Sequence, residues 1–457
     1  MPLVESFSGI RGIYNDGLDE QVAIRYAYSY LSFIREKYGD KARIAIGMDT
    51  RPSGKILKNV VLEALDCDII DIGIASTPMA EFSVRHYKAD GGIIITASHN
   101  EPYWNGFKFL DKDGAVLSPK DMETIIKVHS KLKKLSFNAD AIRANKARVI
   151  KKYDETNKKY SEYVLGFLPK EDKDRIKKAK LRVVLDPNGG TGTIAKPILE
   201  SLGVRVKGIN MEHGIFSRPV EPTESSLIYL TNAVREGKYD FAAGFDCDAD
   251  RVEIVTGKGI VSGNELLALV ADDVLANSKN KTIVVNNATS LAVREIARKH
   301  DAKYIETEVG EANVVEAMKK SKAAIGGEGS SSGIIIPSSR CRDGVLTLVY
   351  ILKIMASRKE GLEKLIAFLP PFCSVKSKIT INPKQNDQIM KKLADYYKGK
   401  KYKIIKSDTS LKAMPDNNSF IWFRASKTEN DTLRIIGDAM TRKKAQELVD
   451  EALKITK

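Results

Sequence analysis

One pattern constrains this chain more than any other: strand, helix, strand, helix, and a third strand that empties into a polar loop, used three times in succession. In the first copy, 42–48 and 68–74 read as strands around a helix reaching about Leu65, and a short helix follows Pro78. A run of β-branched residues from Gly91 then ends at Thr96-Ala97-Ser98-His99-Asn100. In the second copy the strands are 181–185, 204–209 and 240–245, and the exit loop is Asp246-Cys247-Asp248-Ala249-Asp250-Arg251. In the third they are 282–285, 303–309 and 323–325, leading to Gly326-Gly327-Glu328-Gly329-Ser330. Strands alternating with helices predict a parallel-rich α/β sheet in each copy, with right-handed crossovers that bring equivalent loops to equivalent edges.

After Pro370-Pro371 the pattern changes to alternating strands at 374–381 and 420–423 and a helix over 442–453. The expected fold class is therefore α/β: three successive mixed α/β sheet domains of similar topology plus a smaller C-terminal α+β domain, arranged around one cleft. The boundaries expected are 1–150, 151–256, 257–369 and 370–457, and the basic helical stretch 171–180 reads as a linker. A length of 457 residues suits three or four domains.

Composition removes several classes. Hydrophobic residues at 43% and charged residues at 29% describe a globular chain that is neither disordered nor membrane-embedded. The start, Met1-Pro2-Leu3-Val4-Glu5, lacks a basic and then apolar leader, and the apolar run from Leu346 to Met355 is broken by Lys353. Cys67, Cys247, Cys341 and Cys373 are scattered without a CxxC pair, which argues for reduced thiols and a cytoplasmic protein. The net charge of +15 sits largely in lysine-rich stretches with no interleaved aromatics, so it reads as a solvated surface rather than a nucleic-acid groove.

The exit loops carry the chemistry. Ser98 stands at the end of a buried strand, where open α/β sheets keep their reactive groups, although Thr96 and Ser98 could equally serve a turn. Asp246, Asp248 and Asp250 would repel one another at a buried junction unless a cation lay among them, which favours Mg²⁺. Glu328 and Ser330 offer an acceptor and a donor for sugar hydroxyls, and a plain glycine-rich turn explains them nearly as well. Arg424-Ala425-Ser426-Lys427-Thr428-Glu429 would clamp a phosphate or cap a helix. A phosphorylated Ser98 and a substrate phosphate need more positive charge than one metal supplies, and Arg11, Lys108, Arg251 and Arg424 provide it. Lys108 and Arg251 are the candidate proton shuttles, and His99 would orient the loop or the phosphoserine.

Ser8-Gly9-Ile10-Arg11-Gly12, TASHN followed by Asn105-Gly106-Phe107-Lys108, DCDADR, GEGS and the loop from Arg424 to Glu429 occur in one order along the whole chain. In that combination the sequence resembles the α-D-phosphohexomutase family, the phosphoglucomutases, phosphomannomutases and phosphoglucosamine mutases. The resemblance implies four domains, Ser98 as phosphoserine, and Mg²⁺ on Ser98, Asp246, Asp248 and Asp250. It implies sugar contacts from Glu328 and Ser330 and phosphate contacts from Arg424, Ser426 and Thr428. It further implies an isomerase that moves phosphate between O1 and O6 of a hexose through a hexose 1,6-bisphosphate, with a small sugar phosphate as partner and a homodimer among the assemblies it allows.

Departures from the family pattern concentrate in the readers of sugar and phosphate: Glu101 for Pro, Cys247 for Gly among the aspartates, Glu308 for Lys, Lys427 for Gly, Asn430 for Pro, and Ser332 where some members have His. The expected substrates are mannose or glucose phosphate, ahead of glucosamine phosphate. A phosphatase and a non-catalytic sugar-phosphate-binding protein are the other readings.

Overall fold

A computed structural model describes residues 3–6, 9–134, 148–425 and 432–456. Contacts divide it into two compact units, Met1–Ser262 with Gly333–Glu363, and Gly263–Ser332 with Lys364–Lys457.

The first unit holds two sheets. In the larger, eight-stranded one, Arg43–Met48 pairs in parallel with both Asp68–Ile74 and Gly91–Ile95, and Asp68–Ile74 pairs in parallel with Arg148–Lys151. Trp104–Leu110 then turns back antiparallel on Gly91–Ile95, and Gly9–Tyr14 lies antiparallel on Trp104–Leu110. Arg11 is thereby set opposite Gly106, where a Cβ would fall 1.9 Å from the Ile10 carbonyl oxygen, so this crossing of two motifs requires glycine. Helix Glu20–Tyr38 starts where Asp19 accepts from the Val22 amide at 2.7 Å, and buries Ile24, Tyr26, Tyr30 and Ile34 against this sheet.

The second sheet of this unit orders Arg205–Gly208, Arg182–Asp186 and Phe241–Phe245 in parallel, then Val252–Thr256 and Gly259–Val261 antiparallel. Every residue of Phe241–Phe245 is buried, as the apolar run before the aspartates predicts. The helical stretch read as a linker is helix Lys170–Ala179, and it packs on helix Gly344–Arg358. Among its many charges, Ile176 is fully buried and Asp172 nearly so, and a single apolar anchor in a charged helix carries almost no periodic signal. Helix Gly344–Arg358, capped by Asp343 and buried over most of its length, belongs to this first unit.

In the second unit, Thr282–Asn286 pairs in parallel with Lys303–Thr307 and with Ile325–Gly327. A five-stranded antiparallel sheet follows, ordered Cys373–Thr380, Thr432–Ala439, Ser419–Ala425, Ser410–Asp416 and Lys403–Lys406. Helices Asn386–Gly399 and Arg442–Thr456 cover it through Leu393, Tyr397, Leu448 and Val449. The α/β class holds, with parallel-rich sheets first and a C-terminal sheet domain last. No helix among the described residues is long and apolar enough to cross a membrane.

Candidate active site

Strand Gly91–Ile95, buried throughout, delivers Ser98 to a position only 1% exposed. Ser98 has a φ of 52°, left-handed backbone that costs a side-chain-bearing residue about 1–2 kcal/mol. Its amide donates to Thr96 Oγ1 at 2.8 Å, and its hydroxyl donates to Asp246 Oδ2 at 3.2 Å. His99 Nδ1 lies 3.5 Å from the same hydroxyl and also meets the Arg251 guanidinium. Two loops that are about 150 residues apart in sequence thus share one hydrogen bond.

Asp246, Asp248 and Asp250 are completely buried, and one carboxylate oxygen from each lies within 4.8 Å of the others. Asp248 Oδ1 and Asp250 Oδ1 have no hydrogen-bond partner. Hard oxygen donors gathered so closely, two with an unsatisfied atom, fit a divalent cation such as Mg²⁺. Among the described residues this is the one group of His, Cys, Asp and Glu so arranged. Gly190 and Thr191 back the loop: the Thr191 amide donates to the Cys247 carbonyl at 2.9 Å, and a Cβ on Gly190 would come within 2.7 Å of that oxygen.

Cations surround the carboxylates. Lys108 Nζ donates to Asp248 Oδ2 at 2.6 Å, Asp250 Oδ2 at 3.0 Å and Thr77 Oγ1 at 3.2 Å. Thr77 in turn donates to Asp248 Oδ2 at 2.6 Å, and Arg342 to Asp250 Oδ2 at 3.1 Å. Arg251 Nε stands 3.5 Å from Asp246 and 3.7 Å from Asp250, and Arg11 donates to Asn100 Oδ1 at 2.9 Å. Burial, with Asp250 and Asp248 nearby, pushes Asp246 well above its usual range. Burial works on Asp250 in the same sense, but Arg342, Lys108 and Arg251 together hold it well below. Burial lowers Arg11 to about 10, and burial beside Arg251 and Arg11 keeps His99 neutral at pH 7.

Thr77, Arg342 and the Asp49–Arg51 pair are the members of this site that sequence reasoning passes over. Asp49, Arg51 and Thr77 follow strands that end at the same sheet edge as Ser98, so their placement was a usable signal. Arg342 meets its partner 92 residues away, and no local pattern announces it.

In the second unit, Glu328 is buried and its Oε1 accepts from the Gly310 amide at 2.8 Å and Asn286 Nδ2 at 3.0 Å. The same Asn286 nitrogen reaches Ser330 Oγ at 3.3 Å, and Lys376 holds the Ser330 carbonyl at 2.6 Å. Glu308 accepts from Thr409 with one oxygen, while Oε1 has no partner. Arg424 ends strand Ser419–Ala425; burial lowers its pKa against the pull of Glu328 and Glu308. Ser426 and Thr428, with Lys427 and Asn430, lie outside the described residues. This unit thus brings together Glu328, Ser330, Glu308 and Arg424, a set of acceptors and donors suited to hydroxyls and an anion.

Three family models match the chain in order: phosphoglucomutase/phosphomannomutase alpha/beta/alpha domain I over residues 5–136, domain II over 158–259 and domain III over 262–372. A phosphoglucomutase/phosphomannomutase of Thermococcus kodakarensis is 33% identical over 98% of this chain and 97% of its own. A probable phosphoglucosamine mutase of Pyrococcus horikoshii is 30% identical over the same shares. Among solved structures, a phosphoglucomutase/phosphomannomutase family protein of Burkholderia thailandensis superimposes with a TM-score of 0.84 at 21% identity, over 99% of this chain and 97% of that one. Full-length agreement in sequence, domain order and fold makes this chain a member of the α-D-phosphohexomutase family of phosphoglucomutases and phosphomannomutases.

Proposed function

We propose that this enzyme interconverts hexose 1-phosphate and hexose 6-phosphate, mannose or glucose, through a phosphorylated Ser98 and a hexose 1,6-bisphosphate. The observation that carries the reading is the Ser98 hydroxyl donating to Asp246 inside a buried carboxylate trio ringed by Arg11, Lys108, Arg251 and Arg342. Asp246, Asp248, Asp250 and Ser98 would hold Mg²⁺, which when bound offsets negative charge on the phosphoryl oxygens.

The rest falls to the chain itself. In the first transfer the bond from phosphorus to Ser98 Oγ breaks, a bond to the free sugar hydroxyl oxygen forms, and the hydroxyl proton passes to the freed Ser98 Oγ. In the second, Ser98 Oγ gives up its proton as the other phosphoryl group of the bisphosphate returns to it, and the released sugar oxygen takes that proton. Arg11 and Arg251 stabilise charge on the group in transit, and Lys108 and Arg251 are the candidate proton carriers. His99, neutral and tied to Arg251, orients the serine loop. Glu328 and Ser330 read sugar hydroxyls, while Arg424, Ser426 and Thr428 hold the phosphate that is not reacting. The partner is a small sugar phosphate rather than nucleic acid or membrane. Four cysteines without a disulfide suit a cytoplasmic setting, and a homodimer is an assembly that sedimentation would test.

A second reading, a glucosamine phosphate as substrate, draws on Glu308, whose Oε1 lacks a partner close to Arg424, and on the relative from Pyrococcus horikoshii. The test is ³¹P NMR with Mg²⁺, a trace of hexose bisphosphate, and mannose, glucose or glucosamine 1-phosphate in turn. Growth of a 6-phosphate signal supports the mutase and ranks the sugars. Inorganic phosphate as the only product would replace it with a phosphatase, and no change with any sugar would leave only binding.

A further inference from the structure

We propose that the buried Asp49–Arg51 pair is the positioning device of the phosphoryl-carrying serine, holding both peptide groups of Ser98 and so setting where its oxygen points. The inference rests on Ser98 being that carrier. Arg51 is 3% exposed, and its Nε donates to Asp49 Oδ2 at 3.0 Å. Its two terminal nitrogens reach four backbone carbonyls of the Ser98 loop: Ser98 and Asn100 at 2.6 Å each from one, Glu101 at 2.6 Å and Trp104 at 3.1 Å from the other. A guanidinium has five N–H donors, and these five acceptors use them all. Arg51 therefore has no donor left for a phosphate, which separates it from Arg11 and Arg251.

The other side of Ser98 is tied to the same pair. Asp49 Oδ2 accepts from Thr96 Oγ1 at 2.6 Å, and Thr96 Oγ1 accepts from the Ser98 amide at 2.8 Å. The Ser98 carbonyl goes directly to Arg51 and its amide goes through Thr96 to Asp49, a closed ring around a residue with a φ of 52°. The ring bonds both peptide groups of a residue whose left-handed backbone is strained for a serine. The ring is available because Met48 and Ile95 are register partners on adjacent parallel strands, which end side by side. Lysine, with three donors on one atom, cannot span these acceptors.

The experiment compares wild type, Arg51→Lys and Thr96→Val, with Ser98→Ala as the blank. It follows mutase kinetics and, without substrate, hydrogen exchange of the amides from 98 to 104. Both variants should lower kcat, Arg51→Lys about a hundredfold, while KM stays within about twofold, since a misplaced nucleophile loses rate rather than ground-state binding. Exchange should quicken in the loop and stay slow in strand Arg43–Met48. Wild-type kcat in Arg51→Lys, or unchanged loop exchange in Thr96→Val, overturns the inference. Faster exchange across the whole sheet also does, because it makes the pair a general support. If Arg51→Lys does not fold, the isosteric Thr96→Val decides alone. A wild type without mutase turnover sinks the proposed function instead, and the exchange data still decide whether the ring holds the loop.

Discussion

The two units leave different polar atoms without a hydrogen bond. Around Ser98, buried carboxylates and cations close on one another: Lys108 bonds two aspartates, Arg342 and Arg251 a third side of the cluster, and Arg51 spends every donor. Around Glu328, hydrogen bonds run to one oxygen through Asn286 and Gly310, while Glu308 Oε1 and Arg424 Nε have none. The atoms left over in the first unit include two carboxylate oxygens, Asp248 Oδ1 and Asp250 Oδ1, which suit a cation. Around Glu328 they are one acceptor and one donor, which suit hydroxyls and an anion, and substitutions there should change ligand preference without dismantling the fold.

The largest test of the contrast is Ser98→Ala. It should abolish turnover while the melting temperature moves little, because it removes one hydroxyl; retained activity in ³¹P NMR would break the assignment of chemistry to the first unit.

Next comes Glu308→Lys in the second unit. Adding a cation beside Arg424 should shift the ratio of kcat/KM between glucosamine 1-phosphate and glucose 1-phosphate by about tenfold against the amino sugar, the size of one exchanged charge contact. An unchanged ratio would show that Glu308 does not read the sugar.

Asp343, which caps helix Gly344–Arg358 and accepts from Tyr160 at 2.8 Å, tests the first unit through pH. Burial raises its pKa from 3.8 to about 6. The native state then binds more protons than the unfolded one between about pH 4 and 6, so this group's stabilisation is complete below pH 4 and is lost as pH rises through 6. Asp343→Asn keeps a capping oxygen and removes the titration, so the fall in stability from pH 4 to 7 should shrink by up to about 3 kcal/mol in urea denaturation. An unchanged pH profile would mean the carboxylate is charged throughout.

The smallest effect should be alike in both units. Helices Gly344–Arg358 and Glu311–Ser321 end at Lys359 and Lys322, each with a φ of 53°, where glycine is the unstrained residue. Lys359→Gly and Lys322→Gly should each raise stability by about 0.5–1 kcal/mol with turnover unchanged. A gain confined to one unit would show that the two differ in more than their sites.

The recurrent strands and helices, the change of pattern after Pro370, and the serine and aspartate loops were all legible in the residues, because strand and helix periods and loop-forming residues are local properties. The C-terminal sheet was only half legible: strands at 403–406 and 410–416 mix charged with apolar residues without strict alternation, and their pairing is set by neighbours. Tertiary structure alone decided that helix Lys170–Ala179 packs on helix Gly344–Arg358, that Gly333–Glu363 joins the first unit, and that Arg342 reaches Asp250. It also decided what Arg51 does. Its side chain follows a strand as any polar residue might, and only the adjacency of two parallel strand ends turns its five donors into the frame of the Ser98 loop. Sequence specifies which groups are present and the period on which they repeat; which distant groups meet depends on burial and on sheet order, and neither is written locally.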